Sequence, residues 1–189
     1  MKGICFVEPL FNKVIREEKT QTRRIIINSN VDFYLAEIEK LLSKARYRVG
    51  EVIYLKEPYC DDLVIDEIFY KYDNLQDKMN LGISIWKNKL FMPESAARYF
   101  IKITKVSIER LQEISHEDCF KEGIIKTNNL EEIKYTYKFF SKKLNRIIES
   151  MDFITPQEAY SDLIDSINGI GTWDNNPYVY VYDFELIKD

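Results

Sequence analysis

The sequence predicts an α+β fold: a small mixed β-barrel of about five to seven strands, with helices packed outside it and helical segments inserted between strands. Three observations carry this expectation. The chain opens and closes on strand-like apolar runs, and the last of these, residues 177–187, is apolar on both faces, as in a covered sheet. Segments with a helical apolar period lie between them. The aromatic content, 13 Tyr and 11 Phe, favours strands. A chain of 189 residues suits one domain, residues 1–189, with insertions near 60–90 and 125–165, and can bury a core without disulfides or metal.

Residues 3–7 form the opening apolar run, which ends at Glu8-Pro9. Leu10, Val14 and Ile15 then share one face of a short helix over 10–18. Residues 22–27 re-enter the sheet through the β-branched run Ile25-Ile26-Ile27. The clearest helix spans 31–45, where Val31, Leu35, Ile38, Leu41, Leu42 and Ala45 keep the 3.6-residue period behind an Asn30 cap. A turn at Gly50 leads into a strand over 52–57 that stops at Pro58. Residues 66–72 and 83–86 read as two strands of an inserted hairpin, and residues 99–108 as a long strand with Tyr99, Ile101 and Ile103 on one face. Ser115 with Asp118 three positions later starts a helix. Residues 130–150, rich in Lys, Glu and aromatics, read as another helix, and residues 156–167 as a third, with Pro156 in its first turn.

With 27 basic and 31 acidic residues, the net charge is −4. That excludes the broad basic face of a protein that coats nucleic acid, so any such role must rest on a local cationic cleft. Cys5, Cys60 and Cys119 are odd in number and far apart, which fits no disulfide framework. No run approaches the ~20 apolar residues of a membrane span, and the first ten residues lack a signal-peptide pattern. The expected location is cytoplasmic.

The densest chemistry lies in Lys19-Thr20-Gln21-Thr22-Arg23-Arg24. Extended backbone would put Lys19, Gln21 and Arg23 on one side and Thr20, Thr22 and Arg24 on the other. Arginine grips phosphate or carboxylate with two parallel hydrogen bonds, and lysine supplies a compact charge. A lysine with a pKa lowered by burial could also activate a threonine hydroxyl. The plainer alternative has Lys19 at a helix C-terminus and the arginines in surface ion pairs.

This segment resembles the Lys-Thr-x-Thr-x-Arg signature of the ASCH superfamily, a PUA-like group, and further blocks are similar to its phage- and prophage-associated members. They are Gly50-Glu51-Val52-Ile53-Tyr54-Leu55-Lys56-Glu57; Leu90-Phe91-Met92-Pro93 with Ala97-Arg98; Leu111-Gln112-Glu113-Ile114-Ser115 with Asp118 and Glu122-Gly123-Ile124; and Ser166-Ile167-Asn168-Gly169 with Trp173 and Asn176-Pro177. The resemblance implies a PUA-like β-barrel in which the signature faces the Glu of the Glu-Gly helix end, and a role linked to RNA. One branch of smaller ASCH proteins hydrolyses the amide of N4-acetylcytidine with a Lys, a Thr and a Glu. By motif position these correspond to Lys19, Thr22 and Glu122. The present chain is longer than that branch and carries Arg23 where the branch has an apolar residue.

Two functions follow as expectations. The first is a module that binds RNA or a modified nucleoside or nucleotide through a cationic cleft of Lys19, Thr22, Arg23, Arg24 and Arg98, with Glu57 and Trp173 as further ligand-side candidates. The second is a metal-independent amidohydrolase using Lys19, Thr22 and Glu122, with no cofactor. A phage-related factor acting through protein contacts is a third. Glu57 also reads as an ion-pair partner for Arg24 or Arg98. His116 and Cys119 lack the further ligands that a metal site needs, so they read as a surface histidine and a buried cysteine. Trp173 and Trp86 read as packed aromatics that could stack on a base. Gly169-x-Gly171 precedes a strand, which is the wrong context for a phosphate loop.

Overall fold

The computed structural model of the chain describes residues 1–26, 35–62, 67–73, 86–128, 133–141 and 146–188. The strands are β1 (Gly3–Cys5), β2 (Gln21–Ile25), β3 (Val52–Lys56), β4 (Tyr59–Asp62), β5 (Glu67–Tyr70), β6 (Phe100–Arg110), β7 (Ile125–Asn128), β8 (Ile133–Thr136), β9 (Lys138–Ser141), β10 (Arg146–Glu149) and β11 (Tyr178–Leu186). The helices are α1 (Glu8–Ile15), α2 (Leu35–Ser43), α3 (His116–Glu122) and α4 (Pro156–Asn168).

Five strands form the main sheet in the order β1-β3-β6-β11-β2. β1 runs parallel to β3, and every other pairing in this sheet is antiparallel. The closing strand β11 is buried on both faces, as its continuous apolar pattern predicts. Tyr182 and Phe184 enter one core with Ile4, Leu10, Phe11, Val14, Ile53, Leu55, Ile101 and Ile103. Val179 and Val181 enter the other, with Leu111, Cys119, Tyr160, Leu163 and Ile164. The sheet therefore divides two apolar layers, one closed by α1 and the other by α3 and α4.

Local chemistry explains where the helices begin. Pro9 stands in the first turn of α1 and Pro156 in that of α4, where a missing N–H is harmless. Thr155 and Glu158 form a reciprocal capping box on α4, and the Ser115 hydroxyl accepts from Asp118 N on α3. α2 begins at Leu35 among the described residues; the expected Asn30 cap and residues 31–34 lie outside them.

The structure changes three expectations. Residues 130–150 contain strands β8, β9 and β10 where a helix was expected. Their aromatic residues outweigh the helix-forming Lys and Glu: Tyr137 is buried, and Tyr135, Phe139 and Phe153 pack beside it against α4. The strand expected over 22–27 ends at Ile25. Finally, the hydrogen-bonded ladder does not close into a barrel among the described residues, since it stops at β1 and β2. A side chain links these two edges instead, as Arg24 donates from Nη2 to Cys5 O at 2.9 Å and lies 5.4 Å from the Phe6 ring centroid. In the 60–90 insertion, β4 and β5 pair as a hairpin; of the strand expected over 83–86, residues 83–85 lie outside the described residues.

α3 ends at Gly123, whose φ of 110° favours glycine, and an added Cβ there would sit 2.9 Å from Leu10 Cδ2. Gly123→Ala should therefore destabilise the fold by at least about 1 kcal/mol. Urea unfolding measures this, and an unchanged midpoint would show that this helix end does not need glycine.

Candidate functional site

The site begins at the C-terminus of α3, where helical carbonyls lack internal partners. Three groups from the α1–β2 connection and α1 supply them. Lys19 Nζ donates to Glu122 O at 2.8 Å, Lys13 Nζ donates to Gly123 O at 2.8 Å, and Thr20 N donates to Lys121 O at 3.1 Å. Two buried ammonium groups at a helix C-terminus also complement its partial negative charge. This docking turns the Glu122 side chain towards residues 19–24. Lys19 Nζ reaches Glu122 Oε2 at 2.5 Å, and Arg23 Nη1 reaches Glu122 Oε1 at 3.2 Å.

β2 then distributes its side chains between the two sides of the sheet, as its alternation predicts. Gln21 and Arg23 face α3, where Arg23 also donates from Nε to Glu109 Oε1 at 2.8 Å and from Nη1 to Gln21 Oε1 at 2.5 Å. Arg24 faces Cys5 and Phe6. At the outer edge of β2, side chains from both sides meet in one cavity of about 240 Å³. Lys19, Thr22, Arg23, Arg24 and Glu122 all line it, together with Phe6, Tyr160, Leu163 and Ile164. The Thr22 hydroxyl has no hydrogen-bond partner among the described residues.

Burial sets the electrostatics. Lys19 is 1% exposed, and desolvation lowers its pKa to about 8, although Glu122 works to keep it charged. Arg23 and Arg24 add to the lowering. Burial also opposes the charge of Arg23, but Glu122, Tyr160 and Glu109 outweigh it and leave its pKa above the ordinary arginine value. The result is a lysine of lowered pKa beside a carboxylate, in a cavity that Thr22 also lines.

The other expected site residues lie elsewhere. Glu57 is fully buried and accepts both arms of Arg98, at 2.7 and 2.9 Å. Arg98 also reaches Asp73 at 2.6 Å and stacks 4.0 Å from the Tyr70 ring centroid. This ion-paired cluster ties the β4–β5 hairpin to the strand end at Glu57 and lines no part of the cavity. Trp173 packs edge-on against Tyr160, 6.2 Å between centroids, and does not line the cavity either. His116 is exposed and Cys119 buried, with its thiol pushed up to about 12 by burial. Among the described residues, no three His, Cys, Asp or Glu side chains gather as a metal site would require.

Two polar cavity residues, Lys89 and Tyr160, were not singled out in the sequence. Lys89 lines the wall and donates to Phe6 O at 2.5 Å, and nothing local to its sequence signals this. Tyr160 sits with Leu163 and Ile164 on the apolar face of α4, so a hydroxyl on an otherwise apolar stripe was the available signal. Its hydroxyl oxygen is fully shielded from solvent and has no hydrogen-bond partner among the described residues. Burial, with Glu122 nearby, holds its pKa well above the ordinary tyrosine value. It therefore stays a neutral donor at the cavity wall.

No protein-family model, no curated protein and no solved structure matches this chain.

An unpartnered buried hydroxyl costs about 1–3 kcal/mol. In the absence of any ligand, Tyr160→Phe should accordingly unfold at a higher temperature than the parent chain. A lower unfolding temperature would mean that the hydroxyl is already satisfied in the free protein.

Proposed function

We propose that this chain is an ASCH-type domain built on an open PUA-like barrel, and that its cavity hydrolyses the amide of an acylated nucleoside such as N4-acetylcytidine. The observation that carries this reading is the convergence of Lys19, Thr22 and Glu122 on one small cavity. A nucleophile, a lysine with a lowered pKa and a carboxylate are what acyl transfer needs from protein groups alone.

The chemistry runs in two halves. Neutral Lys19 Nζ takes the Thr22 hydroxyl proton as Oγ1 bonds to the acyl carbon, giving a tetrahedral intermediate. Its C–N bond then breaks while the proton passes, through Glu122, to the departing exocyclic nitrogen. This leaves an acyl ester on Thr22 and a free amine. A water then adds to the ester carbonyl and gives its proton to Lys19. Collapse breaks the bond to Oγ1, which regains that proton, and releases the carboxylic acid. Tyr160 O–H and the Arg24 guanidinium are the cavity donors available to the developing oxyanion.

Binding of RNA or a modified nucleotide without turnover is the second reading. The double grip of Lys19 and Arg23 on Glu122 favours it, because a carboxylate so held is a rigid recognition element.

Incubation of the pure protein with N4-acetylcytidine, followed by chromatography for cytidine, decides between them. Turnover should vanish in Thr22→Val and fall by about 10²- to 10⁴-fold in Lys19→Met, the usual effect of losing a general base. If the parent chain releases no more cytidine than Lys19→Met, the hydrolase reading fails.

The pH dependence follows from the lowered pKa of Lys19. Below about 8 the amine is protonated and cannot accept the Thr22 proton, so the rate should climb towards pH 8 and level off above it. A rate that is flat, or that falls over this range, would remove Lys19 as the base.

A further inference from the structure

The cavity does not end at Arg24. Beyond that guanidinium opens a second, larger groove of about 570 Å³, and the two concavities share Cys5, Arg24 and Ile25. Its charged lining is entirely cationic: Arg24, Lys44, Arg46 and Lys56, with no Asp or Glu among the described residues that line it. In a chain whose net charge is −4, this is a local separation of charge, and such clefts concentrate anions.

These cations are available to a ligand. Lys44 and Arg46 are exposed and form no ion pair among the described residues. Lys56 Nζ uses one hydrogen bond on Leu90 O, at 2.9 Å, and an ammonium has three protons to donate. A Cβ at Gly3 would collide with the Lys56 stem, so glycine there gives that side chain its path along the floor.

The aromatic residues in the groove are already engaged. Tyr47 and Tyr182 are buried in the core beneath it. The Tyr47 hydroxyl donates to Gly3 O at 3.0 Å and that of Tyr180 to Leu41 O at 2.9 Å. They offer little face for base stacking. The groove therefore matches a chain of phosphates, a contact that fixes position without reading sequence.

We infer that this groove docks the phosphate backbone of a single-stranded polynucleotide, so that one nucleotide crosses Arg24 and places its base in the cavity. The inference rests on the reading that the cavity accepts a base, and it extends the substrate class from a free nucleoside to an acylated base within a strand. A strand must be single to do this, because a paired base cannot enter a small side cavity without leaving its stack.

The test uses the full chain and the charge-reversed variant Lys44→Glu/Arg46→Glu, whose two sites are exposed and lie outside the catalytic set. Fluorescence anisotropy would follow labelled single-stranded RNA and DNA of mixed sequence, about 12 nucleotides long and so within the range of small single-strand sites. A duplex of the same length serves as a third probe. Each affinity is measured from about 50 to 300 mM salt, where phosphate contacts show as a slope of about −0.7 each. The parent chain should bind the single strands with a slope of about −2 to −3. The variant should bind at least about tenfold more weakly at the lowest salt, with the slope flattened by about 1.4 for two lost contacts.

Unchanged affinity in the variant, equal or tighter binding of the duplex, or no binding by the parent chain at low salt would each overturn the groove assignment. Cytidine release from free N4-acetylcytidine, assayed on the same two proteins, separates the two proposals. Strand binding that depends on Lys44 and Arg46 without any cytidine release upholds the groove and sinks the hydrolase. Equal release by both proteins together with lost strand binding in the variant supports both.

Discussion

The structure around the site depends on one buried contact, that of Lys19 with the end of α3. Removing an ammonium and a carboxylate from water is costly, and their attraction alone does not guarantee recovery of that cost. Here the charges do not stand alone. Lys19 also serves a helical carbonyl, and Glu122 also holds Arg23, so each group gains hydrogen bonds along with its counter-charge. Because these bonds join β2 and the segment before it to α3, the cavity has one geometry. Moving α3 would strand two buried lysines at once, since Lys13 is held by the same helix end.

Arg23 acts on both members of that pair. Its guanidinium bonds Glu122, while its positive charge helps lower the pKa of Lys19. It does not make the cavity an open cationic surface, because Glu109, Gln21 and Glu122 surround it. The cations left for a ligand are those beyond Arg24, on the far side of the seam. The desolvated Lys19 and the exposed cations of the groove are thereby kept apart, although Arg24 borders both.

Much of this was legible in the sequence because it depends on short-range pattern. The signature segment, Gly123 after Glu122, the Ser115 and Pro156 helix starts and the two-faced β11 all follow from local residue chemistry. The joining of Glu122 to Lys19 across 103 positions came from resemblance to a family, since no local pattern encodes it. Residues 130–150 misled because their Lys and Glu content favours helix, while the burial of Tyr137 and its aromatic neighbours is visible only once α4 is in place. Arg98 looked like a cleft cation; of its two carboxylate partners, Glu57 was among the sequence readings, whereas Asp73, 25 residues away, was not. Tyr160 was hidden by its apolar surroundings, because a tyrosine on a core stripe looks the same whether its hydroxyl is served or not.

The unclosed seam between β1 and β2 has a consequence for solution behaviour. An open five-stranded sheet has two edges whose free N–H and C=O groups could recruit strands from other molecules. In this fold both edges turn towards the same gap, and Arg24 fastens one to the other across it. The guanidinium that separates cavity from groove therefore also acts as a clasp against intermolecular strand addition. Bordering the cavity and fastening the two sheet edges are, at this position, the task of a single side chain.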